Sequence, residues 1–304
     1  MFQDAALGSS RAVIDSMQMD SQARHCLEEA FNHLKYEDEE KTLQLRHRTT
    51  LVNMWAPGTG SRVLEVGCGQ GETTIVLAAV VGALGQVLAV DNAPAEYGRP
   101  VTLGEARTYI KKSSALGNRV EFLLSVDLLA PQLDFPEHTF DLAVFSHCSW
   151  YLSSPRELYR LFARVRPWAK RLGYAEWDVR SRHRHQLPHV LAIVLQAQMH
   201  SIAPQLSTAN IRSLILPEDA RLLARDAGWI IKEEKSIDTS TPLGYGKSWE
   251  IHKALEMAEQ FTVSDDALLS EGVRGMLLAR KQLLSQISNE TRNMSLSTYA
   301  FLAE

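Results

Sequence analysis

The chain has 304 residues, 45% of them hydrophobic, with 32 Lys and Arg against 36 Asp and Glu and a net charge of -4. That length and apolar share suffice for a large buried core, and the scattered Lys and Arg exclude the basic stripe of an electrostatic nucleic-acid binder. The three cysteines, Cys26, Cys68 and Cys148, are odd in number and far apart, which points to a reducing compartment and a cytoplasmic setting.

Residues 1–4 lack a basic region followed by an apolar core, so no secretory signal is expected. Helix-forming stretches at 21–36 and 39–54 stop at Pro57-Gly58, which makes residues 1–58 an N-terminal helical cap. Next comes Val63-Leu64-Glu65-Val66-Gly67-Cys68-Gly69-Gln70-Gly71-Glu72-Thr73-Thr74, an apolar run ended by three alternate glycines and a helix start. Glycines there let the backbone turn tightly and approach a ligand, because no Cβ stands in the way. A second apolar run, Val87-Leu88-Ala89-Val90, ends in Asp91, which suits an acid that binds ribose hydroxyls. The longest apolar run, residues 75–90, is broken by Gly82, Gly85 and Gln86; it fits a buried helix and strand, and no membrane span is expected.

Charge and spacing select the nucleoside. A dinucleotide fingerprint has its third glycine three residues after the second and seats a pyrophosphate at the helix N-terminus. Here Gly67, Gly69 and Gly71 alternate, and Glu72 with Glu65 would repel a pyrophosphate. The same carboxylates suit ammonium and sulfonium charges, as in S-adenosylmethionine.

Further strands are expected near 119–124, 140–145 and 171–177, alternating with helices around a parallel sheet. Ser154-Pro155-Arg156-Glu157 offers a Ser cap, Pro at the first helical position and Glu at the third, starting a helix that runs to about Arg166. After the fifth strand, residues 179–213 form an insertion with a helix at 187–199. A helix at 217–227 and a strand at 229–237 follow, then a second helical insertion at about 240–290 and a closing strand at 296–302. Ligands of open α/β sheets sit outside the carboxyl ends of the strands, so insertions rooted there can form a lid over a small substrate. The same helices could instead build a homodimer.

Together these motifs make the chain resemble the class I S-adenosylmethionine-dependent methyltransferases of small-molecule type. Glu65-Val66-Gly67-Cys68-Gly69-Gln70-Gly71 is similar to the family's first motif, and Asp91 stands where its ribose-binding acid belongs. Val120-Glu121-Phe122-Leu123-Leu124-Ser125-Val126-Asp127 resembles the third strand with the acid that meets the adenine amine. Phe140-Asp141-Leu142-Ala143-Val144-Phe145-Ser146-His147 resembles the fourth strand and the loop beside the methyl-donor sulfur. The resemblance implies a Rossmann-like fold: a seven-stranded, mostly parallel sheet with an antiparallel last strand, a cofactor-binding core at 59–178, a lid at 179–213 and the rest of the core at 214–304. It also implies S-adenosylmethionine held by Glu65, Gly67, Cys68, Gly69, Gly71, Asp91, Asn92, Asp127, Leu128 and Ser146.

The implied activity is methyl transfer to oxygen or nitrogen of a small organic molecule. A non-methylating rearrangement on the same fold and an RNA or protein methyltransferase are the alternatives. A sulfonium already activates its methyl group, so a base is needed only if the acceptor is protonated. His147, following the fourth strand, is the first candidate, with Asp178 as the second. Trp150, Tyr151 and Trp177 lie near the same edge as candidate walls of the acceptor site. Tyr36 or Arg48 is a candidate for the cofactor carboxylate, and Asp141 reads as structural. His183, Arg184, His185 and His189 match no metal-ligand spacing and are expected at a solvated helix start, so no metal site is anticipated.

Overall fold

The computed structural model describes residues 38–113, 116–238, 249–263, 269–291 and 293–304, together with His25 and Leu27. The helix expected at 21–36 and Tyr36 therefore lie outside the described residues, apart from His25 and Leu27, which are helical. Seven strands form one sheet: Arg62–Val66 (β1), Gln86–Val90 (β2), Val120–Leu123 (β3), Leu142–Ser146 (β4), Leu172–Trp177 (β5), Ile231–Ile237 (β6) and Thr298–Ala303 (β7). Their order is β3-β2-β1-β4-β5-β7-β6. The first five are parallel, and β7 runs antiparallel to both β5 and β6.

The chain leaves β1 towards β2 and later returns to β4 on its other side, so the strand order reverses between β1 and β4. A crevice opens at such a reversal, outside the carboxyl ends of the strands. Register brings those ends level: Val66 pairs with Val90 and Phe145, and Ser146 pairs with Ala175. The loop after β1, Asp91, His147 and the end of β5 consequently share one edge.

The helices are Asp38–Trp55 (α1), Glu72–Val81 (α2), Leu103–Lys112 (α3), Pro155–Val165 (α4), Leu187–Ile202 (α5), Pro217–Asp226 (α6), Trp249–Val263 (α7) and Glu271–Glu290 (α8). In α4, Ser154 Oγ accepts from the Glu157 N–H at 3.3 Å, and Leu158, Leu161, Phe162 and Val165 bury one face at helical spacing. Almost all of α2 is buried, which suits its continuous apolar run lying between the sheet and α1. Trp55 fixes α1 to the sheet. Its ring fills the space over Gly173, where a Cβ would come within 2.8 Å of it, and its Nε1–H donates to the Phe301 carbonyl at 3.2 Å. Truncating a buried Trp of this kind to Ala costs roughly 3–5 kcal/mol.

Two corrections concern element boundaries. The strand expected from 229 begins at Ile231, because Trp229 turns inward, is buried and donates its Nε1–H to the Phe162 carbonyl. The expected second insertion resolves into two helices, α7 and α8. α5 is a middle layer: Ile193 and Ala197 join the core under the sheet, whereas Ala192, Leu195 and Met199 pack with α7 and α8. Among the described residues, no helix is long and apolar enough to cross a membrane, and Cys68 and Cys148 are free thiols.

Candidate active site

The loop after β1 carries φ values of 70° at Gly67, 54° at Gly69 and 89° at Gly71, all left-handed. At Gly67 a Cβ would meet the Cβ of Cys148 at 2.5 Å, so this loop and the one after β4 are in direct contact. Around Gly69 a Cβ would meet nothing within 4 Å, which leaves the loop's middle open to a ligand. Asp91 organises the loop: Oδ2 accepts from the Gly69 N–H and Oδ1 from the Ala93 N–H, both at 2.9 Å. Thr73 Oγ1 donates to Ser146 Oγ at 3.1 Å, tying the start of α2 to the end of β4. Cys68 and Leu128 are buried, Asn92 is exposed, and exposed Asp127 closes a turn by accepting from the Leu129 N–H at 2.8 Å.

Glu65 lies at the bottom of this crevice, 1% exposed, and Oε2 accepts from Thr74 Oγ1 at 2.5 Å. Burial pushes its carboxyl up to about 8, and the negative charges of Glu72 and Asp91 act in the same direction. The Thr74 hydrogen bond and the nearby Arg48 guanidinium oppose that rise without cancelling it. A ligand cation next to Glu65 would relieve the penalty. Buried Arg48, on α1, offers charge for a carboxylate.

A second group sits where β4 and β5 end. His147 has a left-handed backbone with φ 52° and is held by its N–H to the Ala175 carbonyl at 2.8 Å. A non-glycine residue in that region costs on the order of 1–3 kcal/mol, the kind of strain that gathers at functional sites. Its Nδ1 lies 3.4 Å from Glu176 Oε1, and its Nε2 lies 2.7 Å from Nε2 of His47 on α1. Glu176 is clamped in turn. Oε2 accepts from Ser149 N–H at 3.0 Å, Ser149 Oγ at 2.8 Å and Trp150 N–H at 3.3 Å, and Oε1 accepts from Trp177 N–H at 3.0 Å. Burial raises Glu176 to about 7 despite those donors, and it pushes His147 well below its ordinary value, assisted by the positive charge of Arg48 and by His189. The indole of Trp177 completes the group, with ring centroids 4.5 Å from His147 and 5.9 Å from His47, the latter stacked.

Three expectations change. Asp178 is 2% exposed but accepts from Arg180 through both oxygens, at 2.8 Å each, and caps its own loop; Glu176, two residues earlier, faces His147 instead. Trp150 is an anchor, because it is 1% exposed, donates Nε1–H to the Ile215 carbonyl and accepts from the Arg212 and Ser213 N–H groups. His189, expected in a solvated helix start, is 2% exposed and packs edge-on against Trp177 at 5.7 Å. Tyr151 is 40% exposed and Trp177 is buried to 8% exposure. His47 and Glu176 are not among the candidate site residues of the sequence, which places His189 at a solvated helix start. The available signal was an acid inside a strand whose every other residue reads as buried and apolar.

An apolar strand, a left-handed glycine loop and an acid at the tip of the neighbouring strand define a nucleoside-binding α/β domain. Residues 63–173 match the family profile of a methyltransferase domain, and residues 3–101 match that of protein-L-isoaspartate(D-aspartate) O-methyltransferase. Methyltransferase phomM of Diaporthe leptostromiformis is 29% identical over 212 residues, covering 57% of this chain and 54% of that protein. The chain therefore spans about half the length of that relative. Aklanonic acid methyltransferase DauC of Streptomyces sp. (strain C5) is 26% identical over 197 residues, 65% of this chain and 80% of the relative. The solved structure of a cyclopropane-fatty-acyl-phospholipid synthase-like protein from Lactobacillus casei ATCC 334 is similar with a TM-score of 0.74 and 27% identity, covering 97% of this chain and 98% of that one.

The methyltransferase-domain match, these relatives and the shared fold together support a class I S-adenosylmethionine-dependent methyltransferase with S-adenosylmethionine as cofactor. The open middle of the glycine loop and the buried, charge-poor carboxyl of Glu65 fit that cation.

Proposed function

We propose that the protein methylates an acidic hydroxyl, phenolic or enolic, of a small organic molecule in the cytoplasm, with His147 as the base. The Glu176–His147 contact at 3.4 Å carries this reading. At that distance the two make a close charge contact rather than a hydrogen bond, and with Glu176 ionised its negative charge favours the His147 tautomer protonated on Nδ1, whose Nε2 lone pair is the acceptor. Bound S-adenosylmethionine supplies a methyl group already activated by its sulfonium. The protein holds the acceptor, excludes water and takes the hydroxyl proton on His147 Nε2, where the acceptor displaces His47 as partner. Asp91 would hold the ribose hydroxyls, Asp127 the adenine amine, Glu65 the ammonium and Arg48 the carboxylate.

The acidity of the acceptor follows from the base. Burial makes His147 a weaker base than free imidazole, so an alkanol lies far out of its range, whereas phenols, near pKa 10 like tyrosine, are within reach of assisted transfer. A small substrate is supported by the layer of α5, α7 and α8 and by the relative that acts on aklanonic acid. The test is His147→Ala: turnover should fall about 10²-fold or more while affinity for the demethylated cofactor stays within twofold of wild type. Wild-type turnover at every pH in the variant would remove His147 from the base role.

A further inference from the structure

His189 stands outside the proton-accepting pair, yet its ring is locked more tightly than packing requires. The Leu296 backbone N–H, which can only donate, points at His189 Nδ1 at 3.1 Å. Nδ1 must therefore carry the lone pair, and the single proton of the neutral ring sits on Nε2. Burial keeps the ring neutral, lowering its proton affinity to about 4. Nε2–H is thus a donor of fixed direction, and it is buried without a hydrogen-bond partner among the described residues. Buried donors in folded proteins nearly always have an acceptor, and one aimed into a ligand site is matched by the ligand.

Its surroundings identify that site. The ring meets the edge of Trp177, the same indole that packs on His147 and His47, and it lies close enough to His147 to affect that ring's titration. We propose that His189 is an acceptor-binding residue whose Nε2–H donates to a second oxygen of the substrate, so that the enzyme selects hydroxy-carbonyl compounds over simple phenols. This rests on the reading of the His147 side of the crevice as the acceptor site. The chemistry fits that reading: a carbonyl conjugated with a hydroxyl acidifies it, and a donor on the carbonyl stabilises the charge that develops as the proton leaves.

The probes are ortho-hydroxyacetophenone and ortho-ethylphenol, which differ in a carbonyl against a methylene. Their binding to protein loaded with S-adenosylhomocysteine can be followed by the fluorescence of Trp177 and its neighbours, with no chemistry taking place. Wild type should bind the ketone about tenfold tighter or more. His189→Phe, which keeps a ring but no donor, should erase the preference while leaving ortho-ethylphenol and cofactor affinity unchanged. His189→Gln, whose amide can both accept from Leu296 and donate, should restore part of it. Should His189→Phe fail to fold, the imidazole Nε2–H proton resonance of wild type supplies the readout, moving downfield with the ketone and staying put with ortho-ethylphenol. Absence of any preference in wild type, or a preference that survives in His189→Phe, overturns the proposal. His147→Ala should retain the preference, so failure of the base assignment would be seen separately from failure of this one.

Discussion

Replacing Glu176 by Gln changes one atom and tests how the base is prepared. The three donors on Oε2, at 2.8, 3.0 and 3.3 Å, require an oxygen there, so the amide carbonyl must occupy that place. Its NH₂ then takes the position of Oε1, facing the Trp177 N–H donor to donor and His147 Nδ1 at about the present separation. The unmatched Trp177 N–H should cost roughly 1–3 kcal/mol, lowering Tm by about 2–4 °C per kcal/mol in a domain of this size. The larger effect is on the tautomer. An amide donating to Nδ1 moves the ring proton to Nε2, the atom that has to accept, and kcat should fall about 10²- to 10⁴-fold. In wild type, Glu176 near 7 means that the proton-free pair forms as pH rises, so kcat/KM should climb through about pH 7 and then level. Initial rates with a hydroxy-carbonyl acceptor, measured from pH 5 to 9, provide the assay. A Gln variant with wild-type kcat and the same pH profile would refute the reasoning, because neither the carboxylate nor the tautomer would then matter.

Asp91→Ala removes the acceptor of the Gly69 and Ala93 N–H groups and the acid proposed for the ribose, so calorimetry with S-adenosylhomocysteine should show binding weakened by roughly 1–3 kcal/mol. Unchanged affinity would take Asp91 out of the ribose role. Glu65→Gln addresses stability. Glu65 is raised from 4.5 to about 8, so between those values the folded protein keeps a proton that the unfolded chain has released, and stability falls as pH rises, by about 5 kcal/mol in all. The Gln variant should lose that alkaline decline in urea midpoints measured from pH 5 to 8.5, and an identical slope would show that Glu65 is ionised in the folded state. The buried histidines His47, His147 and His189, all lowered, act oppositely: they cost stability as pH drops below 6.5 and leave the slope above 7 to the carboxyls.

What was legible in the sequence was local. The alternate glycines, Asp91 at the tip of the next strand and the Ser154-Pro155 helix start each express a backbone demand within a few residues, and the succession of strands along the chain followed from their apolar runs. The antiparallel last strand came from the family resemblance, and the sheet contains it. The proposed acceptor site was only half legible, because its members meet across the fold: His47 from α1, His147 after β4, Glu176 in β5 and His189 from α5. Glu176 lies within β5, whereas Asp178 stands just past its end. Arg180, two residues after Asp178, engages both oxygens of Asp178, a side-chain contact that pattern alone does not reveal. His189 was masked by its exposed neighbours His183 and Arg184, although Leu296, 107 positions away, fixes its ring.

Transfer itself is the most direct measurement. With S-adenosylmethionine carrying a deuterated methyl group and ortho-hydroxyacetophenone as acceptor, the account predicts a product bearing that intact methyl group on its former hydroxyl oxygen, at a rate that collapses in His147→Ala. Bound cofactor that never gives up its label, while acceptors are rearranged or left untouched, would contradict it.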